Sequence, residues 1–87
     1  LLFINYQKEK IFMINIFILP TCPYCHKVMD FMDAKGIAYN KIDITNPEKE
    51  EVLIKIGGKR QVPFIIDKEH NVEMYESDNI IEYLKTL

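Results

Sequence analysis

Apolar residues fall along the chain in short blocks with two different periods. Met13 to Leu19 (MINIFIL) is a nearly continuous apolar run, broken at Asn15 and stopped by Pro20. A β-branched run of that length, bounded by a turn signal, predicts a strand buried on both faces. From Pro23 to Lys35 the positions Val28, Phe31 and Met32 share one helical face, and Gly36 supplies a C-terminal stop, so this stretch is predicted as a helix. Ala38 to Ile44 alternates moderately and is predicted as a second strand, which makes the first three elements a parallel, right-handed βαβ unit. Thr45 and Glu48 have capping-box spacing and Pro47 suits the first turn, so a second helix is expected there. It should turn Val52, Leu53 and Ile56 inward and end at Gly57 and Gly58. Val62 to Asp67 reads as a third strand, Asp67 to Asn71 as a polar turn, and Val72 to Tyr75 as a fourth strand, giving an antiparallel hairpin. Ser77 is a good N-cap for a last helix with Ile80, Ile81, Leu84 and Leu87 on one face.

The resulting string, β-α-β-α-β-β-α, predicts an α/β fold: a mixed four-stranded sheet with three helices, the layout of thioredoxin-like folds. Eighty-seven residues make one domain near the lower size limit for a chain that folds on its core alone. A hydrophobic content of 48% supplies that core and argues against disorder. Eleven basic against 13 acidic residues, net −2, leave no footprint for nucleic acid or an anionic membrane. The longest apolar stretch, Ile11 to Leu19, is too short for a membrane span, which needs about 20 residues. With no signal peptide visible in residues 1–10, a cytoplasmic, reducing setting and a monomer are expected. Met13 directly precedes the first strand and is expected to be the biological start. Residues 1–12 would then be an N-terminal extension, non-native or disordered, ahead of a single domain at 13–87.

The chemistry starts at Thr21-Cys22-Pro23-Tyr24-Cys25-His26. Only two cysteines are present, two residues apart, which points to redox or metal chemistry and away from a disulfide scaffold. A strand ending at Leu19 and a helix starting near Pro23 put Cys22 at a helix N-terminus. Free N–H groups and the positive end of the dipole favour a thiolate there. Cys25 lies nearly one turn deeper and less exposed. The expected reaction is attack by Cys22, a mixed disulfide, then displacement by Cys25. Three other uses of the pair stay open on the residues alone. C-x-x-C-H is also a c-type haem attachment pattern, though haem on a helix inside a βαβ unit, without an export signal, fits poorly. Zinc wants four ligands, and only His26 and His70 are available beyond the pair. Two inert, buried cysteines in one first turn are the third. His26 is expected to be an exposed helix histidine and His70 a solvated one in the hairpin turn.

Cys22-Pro23-Tyr24-Cys25 after a buried strand resembles the dithiol glutaredoxins. Gly58-Lys59-Arg60-Gln61-Val62-Pro63 is similar to the family segment ending in Thr-Val-Pro, with Gln61 for the threonine, and Ser77-Asp78 to the pair opening its last helix. The resemblance runs from about Met13 to Leu87 and implies a glutathione-dependent thiol–disulfide oxidoreductase. Its partners would be glutathione as co-substrate, disulfide-containing proteins and a thiol reductase; it implies no tightly bound cofactor and no metal. Cys22 and Cys25 would be catalytic. Pro63 would be a cis-proline presenting the Val62 backbone to substrate, and Tyr24 would line the groove. Arg60 and Lys59 would attract a glutathione carboxylate. Ser77 and Asp78 would hold the γ-glutamyl end. The chain departs from the pattern at Leu19, where the family usually has lysine, and at Tyr75-Glu76, where it has Gly-Gly. Met74 to Leu84 instead resembles the end of a glutathione S-transferase N-terminal domain, where an acidic residue and a serine bind the γ-glutamyl group. Two alternatives follow: a glutathione-independent redoxin reduced by a thioredoxin reductase, or a module binding glutathione or an iron–sulfur cluster. A proline directly after the first cysteine disfavours the cluster.

Overall fold

The computed structural model describes residues 13–87, so the extension expected at 1–12 lies outside the described residues. The elements are β1 (Ile14–Ile18), α1 (Pro23–Lys35), β2 (Tyr39–Asp43), α2 (Pro47–Gly57), β3 (Phe64–Asp67), β4 (Val72–Tyr75) and α3 (Ser77–Leu84). The four strands form one sheet in the order β2-β1-β3-β4. β1 runs parallel to β2, across α1, and antiparallel to β3, while β3 and β4 form the antiparallel hairpin. This is the mixed sheet with three helices that the hydrophobic pattern predicts.

The period of two in the strands divides the core into two layers. Ile14, Ile16 and Ile18 of β1 and Ile65 of β3 face α1 and α3, packing with Cys25, Val28, Met29, Met32, Ile80 and Leu84. Phe17, Phe64 and Ile66 point to the other face and pack with Ile44 and Leu53. β1 is thus covered on both sides, which is why its sequence reads as a continuous apolar run. β3 starts later than expected, at Phe64, because Pro63 has no N–H to donate to the ladder.

Local chemistry sets the helix ends. α1 carries Pro23 in its first turn and stops at Gly36, whose φ of 71° is the left-handed cap that glycine adopts without strain. At α2 the expected Thr45–Glu48 capping box gives way to Asn46. Its side chain accepts the Glu48 N–H at 2.9 Å, while the Thr45 N–H is held by Asp43 Oδ1 at 2.9 Å. Asn46 sits one residue closer to the helix than Thr45, with Pro47 taking the position that needs no donor. Only Leu53 of α2 is buried; Val52 and Ile56 stay 42% and 43% exposed, against expectation. The helix touches the sheet along a narrow line through Leu53, and the stripe carrying Val52 and Ile56 is turned off it.

At α3 the cap residue is Glu76, not Ser77, and it makes no side-chain cap hydrogen bond. Ser77 is the first helical residue and is buried. Leu87 lies beyond the helix end and is half exposed, so the buried stripe reduces to Ile80 and Leu84. Asp67, expected where the third strand passes into the polar turn, does close β3, and it is buried. Its Oδ2 accepts the Tyr83 hydroxyl at 2.5 Å and meets His70 Nδ1 at 2.9 Å, so His70 is tied to a buried carboxylate and is not merely solvated. Among the described residues no helix is long and apolar enough to cross a membrane.

Candidate functional site

β1 ends beneath the loop Leu19–Thr21, and Cys22 closes that loop with its N–H on the Leu19 carbonyl at 3.1 Å. Cys22 is the N-cap residue of α1, extended at φ −82° and ψ 115°. Its Sγ accepts the Cys25 backbone N–H at 3.4 Å, the place a capping oxygen normally takes. Cys22 is partly exposed and Cys25 is fully buried; both thiols are free. Burial pushes the Cys25 thiol from 9.0 up to about 12, with the neighbouring Cys22 sulfur adding to the rise and the Leu19 backbone opposing it. One sulfur therefore meets solvent at a helix N-terminus while the other is held as a protonated thiol behind it. His26, exposed on α1, donates from Nε2 to the Pro20 carbonyl at 2.6 Å, which braces the loop before the pair. Among the described residues no three His, Cys, Asp or Glu side chains gather as a metal set.

Five of the expected site residues, Tyr24, Val62, Pro63, Ser77 and Asp78, line one cleft of about 400 Å³. The Val62–Pro63 peptide bond is cis, as expected. Gln61 and Glu76 complete the wall of the cleft; the sequence gives Gln61 no binding role, and points to Glu76 only through the transferase-like acidic residue and serine of Met74 to Leu84. Both are positions where the chain departs from the glutaredoxin pattern, which is the signal that marks them. They touch: Gln61 Nε2 donates to Glu76 Oε2 at 2.8 Å. Glu76 also has a positive φ, 73°, an unusual backbone for a residue with a side chain.

Arg60 is not brought to this cleft. Its guanidinium pairs with Glu50 of α2, and the expected carboxylate role requires it to leave that partner. Lys59 Nζ lies 4.9 Å from the centre of the Tyr75 ring, whose hydroxyl donates to the Lys59 carbonyl at 2.8 Å. Asp78 is engaged by Lys27 Nζ at 2.7 Å, and that ammonium holds its carboxyl below the ordinary value. A larger cavity, about 770 Å³, opens at the opposite end of β1, beside Met13, Asp67, His70 and Tyr83. Neither cavity has a cysteine in its wall; the smaller cleft is the one beside the pair, because Tyr24, which stands between the two cysteines in sequence, lines it.

The sheet order, the cis-proline loop and a dithiol at the start of α1 define a thioredoxin-fold thiol–disulfide oxidoreductase. Residues 10–72 match the family model described as Glutaredoxin. Glutaredoxin 1 of Rickettsia conorii is 40% identical over 68 residues, which cover 74% of this chain and 67% of that protein. The solution structure of a glutaredoxin from Brucella melitensis superposes with a TM-score of 0.64 at 25% identity, over 85% of this chain and 78% of the other. The chain belongs to the glutaredoxin family. A glutathione transferase Omega 3C from Trametes versicolor also superposes, with a TM-score of 0.74 at 27% identity, over 84% of this chain. This chain spans about a third of that transferase, 32%, and the likeness fits the transferase-like pattern of Met74 to Leu84.

Proposed function

We propose that this glutaredoxin reduces protein disulfides and glutathione mixed disulfides with electrons from glutathione, Cys22 attacking and Cys25 resolving. The carrying observation is the asymmetry of the pair: Cys22 partly exposed at the cap of α1, Cys25 fully buried one turn behind it. In this reading the Cys22 thiolate attacks one sulfur of the substrate disulfide, and the other sulfur leaves as a thiol after taking a proton. Cys25 then gives up its proton and attacks Cys22 Sγ, which releases the second thiol. The substrate gains two electrons and the protein ends with a Cys22–Cys25 disulfide. Two glutathione molecules return it to the dithiol and leave as glutathione disulfide. The free Cys22 thiolate helps to keep Cys25 protonated; a mixed disulfide at Cys22 removes that charge and eases the second step.

The cleft supports the binding half of the reading. Backbone N–H groups at the start of α3, from Ser77 and Asp78, suit a γ-glutamyl carboxylate, and the Asp78 side chain suits the ammonium beside it. Val62 offers its backbone for strand-like pairing next to Pro63, and Tyr24, 63% exposed, covers the entrance. Arg60 contributes once it exchanges Glu50 for the ligand carboxylate. We infer a domain of residues 13–87 acting as a monomer in the cytoplasm, where thiols are kept reduced.

Turnover of a small glutathione mixed disulfide, with glutathione and glutathione reductase, tests this. Fast turnover by wild type, none by Cys22→Ser and residual turnover by Cys25→Ser are expected, since glutathione itself can resolve the mixed disulfide. Full activity in Cys22→Ser would overturn it. A second reading, a redoxin served by a thioredoxin reductase, draws on the engagement of Arg60 by Glu50. Slow turnover with glutathione beside fast reduction by a thioredoxin reductase would favour it.

A further inference from the structure

The charge of the cleft beside the cysteine pair is unbalanced. Among the described residues its walls hold two carboxylates, Glu76 and Asp78, and no Lys, Arg or His. The cations nearest in sequence to the site are already engaged. Lys27 is on Asp78, Arg60 is on Glu50, and Lys59 lies over the Tyr75 ring. Glu76 is left with a neutral partner, the Gln61 amide at 2.8 Å, which fixes the carboxylate without cancelling its charge. The backbone holds it as well: a glutamate at φ 73° persists only where its surroundings over-determine the conformation. Among the described residues, one positioned negative charge thus has no cationic partner and faces whatever chain carries the disulfide.

We propose that Glu76 is a specificity-determining residue that makes this cleft prefer disulfides carried on basic or uncharged segments over acidic ones. The inference rests on Cys22 being the attacking thiol and extends that reading to the substrate class. The chemistry it governs is unchanged: the dithiol loses two electrons, the disulfide gains them, and the Cys22–Cys25 bond forms as the substrate S–S bond breaks. Glu76 acts on the encounter and on docking. An exposed pair of unit charges changes such a step by a few-fold, so attraction to a lysine and repulsion of a glutamate together separate two otherwise identical substrates by roughly five- to tenfold.

The experiment is single-turnover oxidation of the fully reduced protein, with no glutathione present. The substrates are three pentapeptides in mixed disulfide with 2-mercaptoethanol, differing only in a Lys, Gln or Glu beside the cysteine. Expected is the order Lys > Gln > Glu, with a spread of roughly five- to tenfold at low salt that collapses in 1 M salt, where screening reaches about 3 Å. Glu76→Gln should compress the spread to within about twofold. Glu73→Gln, on exposed β4 surface outside the cleft, should leave it intact. Equal rates for the three peptides, a preference for Glu, or an unchanged spread in Glu76→Gln would overturn the proposal alone. No exchange with any peptide would overturn it together with the assignment of Cys22. Because glutathione is absent from the assay, neither result depends on whether glutathione is the natural electron donor.

Discussion

The buried member of the pair offers the most quantitative test. Its thiol is pushed from 9.0 to about 12, chiefly by burial, and Cys25 is fully inaccessible to solvent. At pH 7 an ordinary thiol of that starting value is about one part in a hundred thiolate, and Cys25 is about one part in a hundred thousand. The more basic sulfur is also the stronger nucleophile. With a Brønsted slope of about 0.4–0.5, the thousandfold loss of thiolate is offset by about 15- to 30-fold. Cys25 should therefore exchange with a small disulfide about 30- to 60-fold more slowly than a free model thiol, before any further loss from steric shielding. The assay is chromophore release from a small aromatic disulfide reagent by the Cys22→Ser variant, beside N-acetylcysteine amide at the same pH. Replacing Cys22 also removes its own raising effect, so a slowing of at least about tenfold, carried by burial, is the firm expectation. A Cys25 in this variant that reacts as fast as the model thiol would refute the reasoning, because burial would then not be protecting the resolving sulfur.

Other consequences can be measured on the same protein. Tyr83→Phe removes a hydroxyl that donates to the buried Asp67 carboxylate, and should cost about 2 kcal/mol at pH 7, or roughly 8–16 °C in Tm. Burial raises the Asp67 carboxyl, but the hydrogen bonds from Tyr83 and His70 outweigh it and hold it below the ordinary value. That stabilisation is full above the unfolded carboxylate value of about 3.9 and is lost as pH falls through the depressed folded value. The gap between wild type and Tyr83→Phe should accordingly narrow below about pH 4; an equal gap in thermal melts at pH 7 and pH 2.5 would contradict it. In Gly57→Ala the new Cβ would collide with the Tyr75 hydroxyl oxygen, so the ring must move and surrender its bond to the Lys59 carbonyl. A loss of about 1–3 kcal/mol by denaturant melting is expected, and much of it should vanish in a Tyr75→Leu background. Leu53→Ala should cost about 2–5 kcal/mol and Val52→Ala less than about 0.5, and the reverse order would mean that α2 docks by its other stripe.

The order of elements and the dithiol were legible in the sequence because local rules dominate there. A β-branched run stopped by a proline, a Pro–Gly bracketed helix and a short polar turn each act within a few residues. These yielded β1, α1, the β3–β4 hairpin and the place of Cys22 at a helix start. Features that depend on partners distant in sequence were not legible. Gln61 and Glu76 stand 15 residues apart and meet only because the β3–β4 hairpin folds the chain back on itself. Asp67 reads as the junction of a strand and a polar turn, with no sign of burial, yet the sheet buries it and Tyr83 and His70 satisfy it there. Arg60 reads as a free cation beside the site, but α2 delivers Glu50 to it. Val52 and Ile56 have the spacing of a buried face, but how far a helix sinks onto a sheet is set by the whole packing, and here Leu53 alone reaches the core. Periodicity and turn chemistry determine which elements form. The pairing of charges, the sinking of carboxylates and the lining of the cleft are decided when the elements assemble, because those energies exist only between residues that tertiary structure brings together.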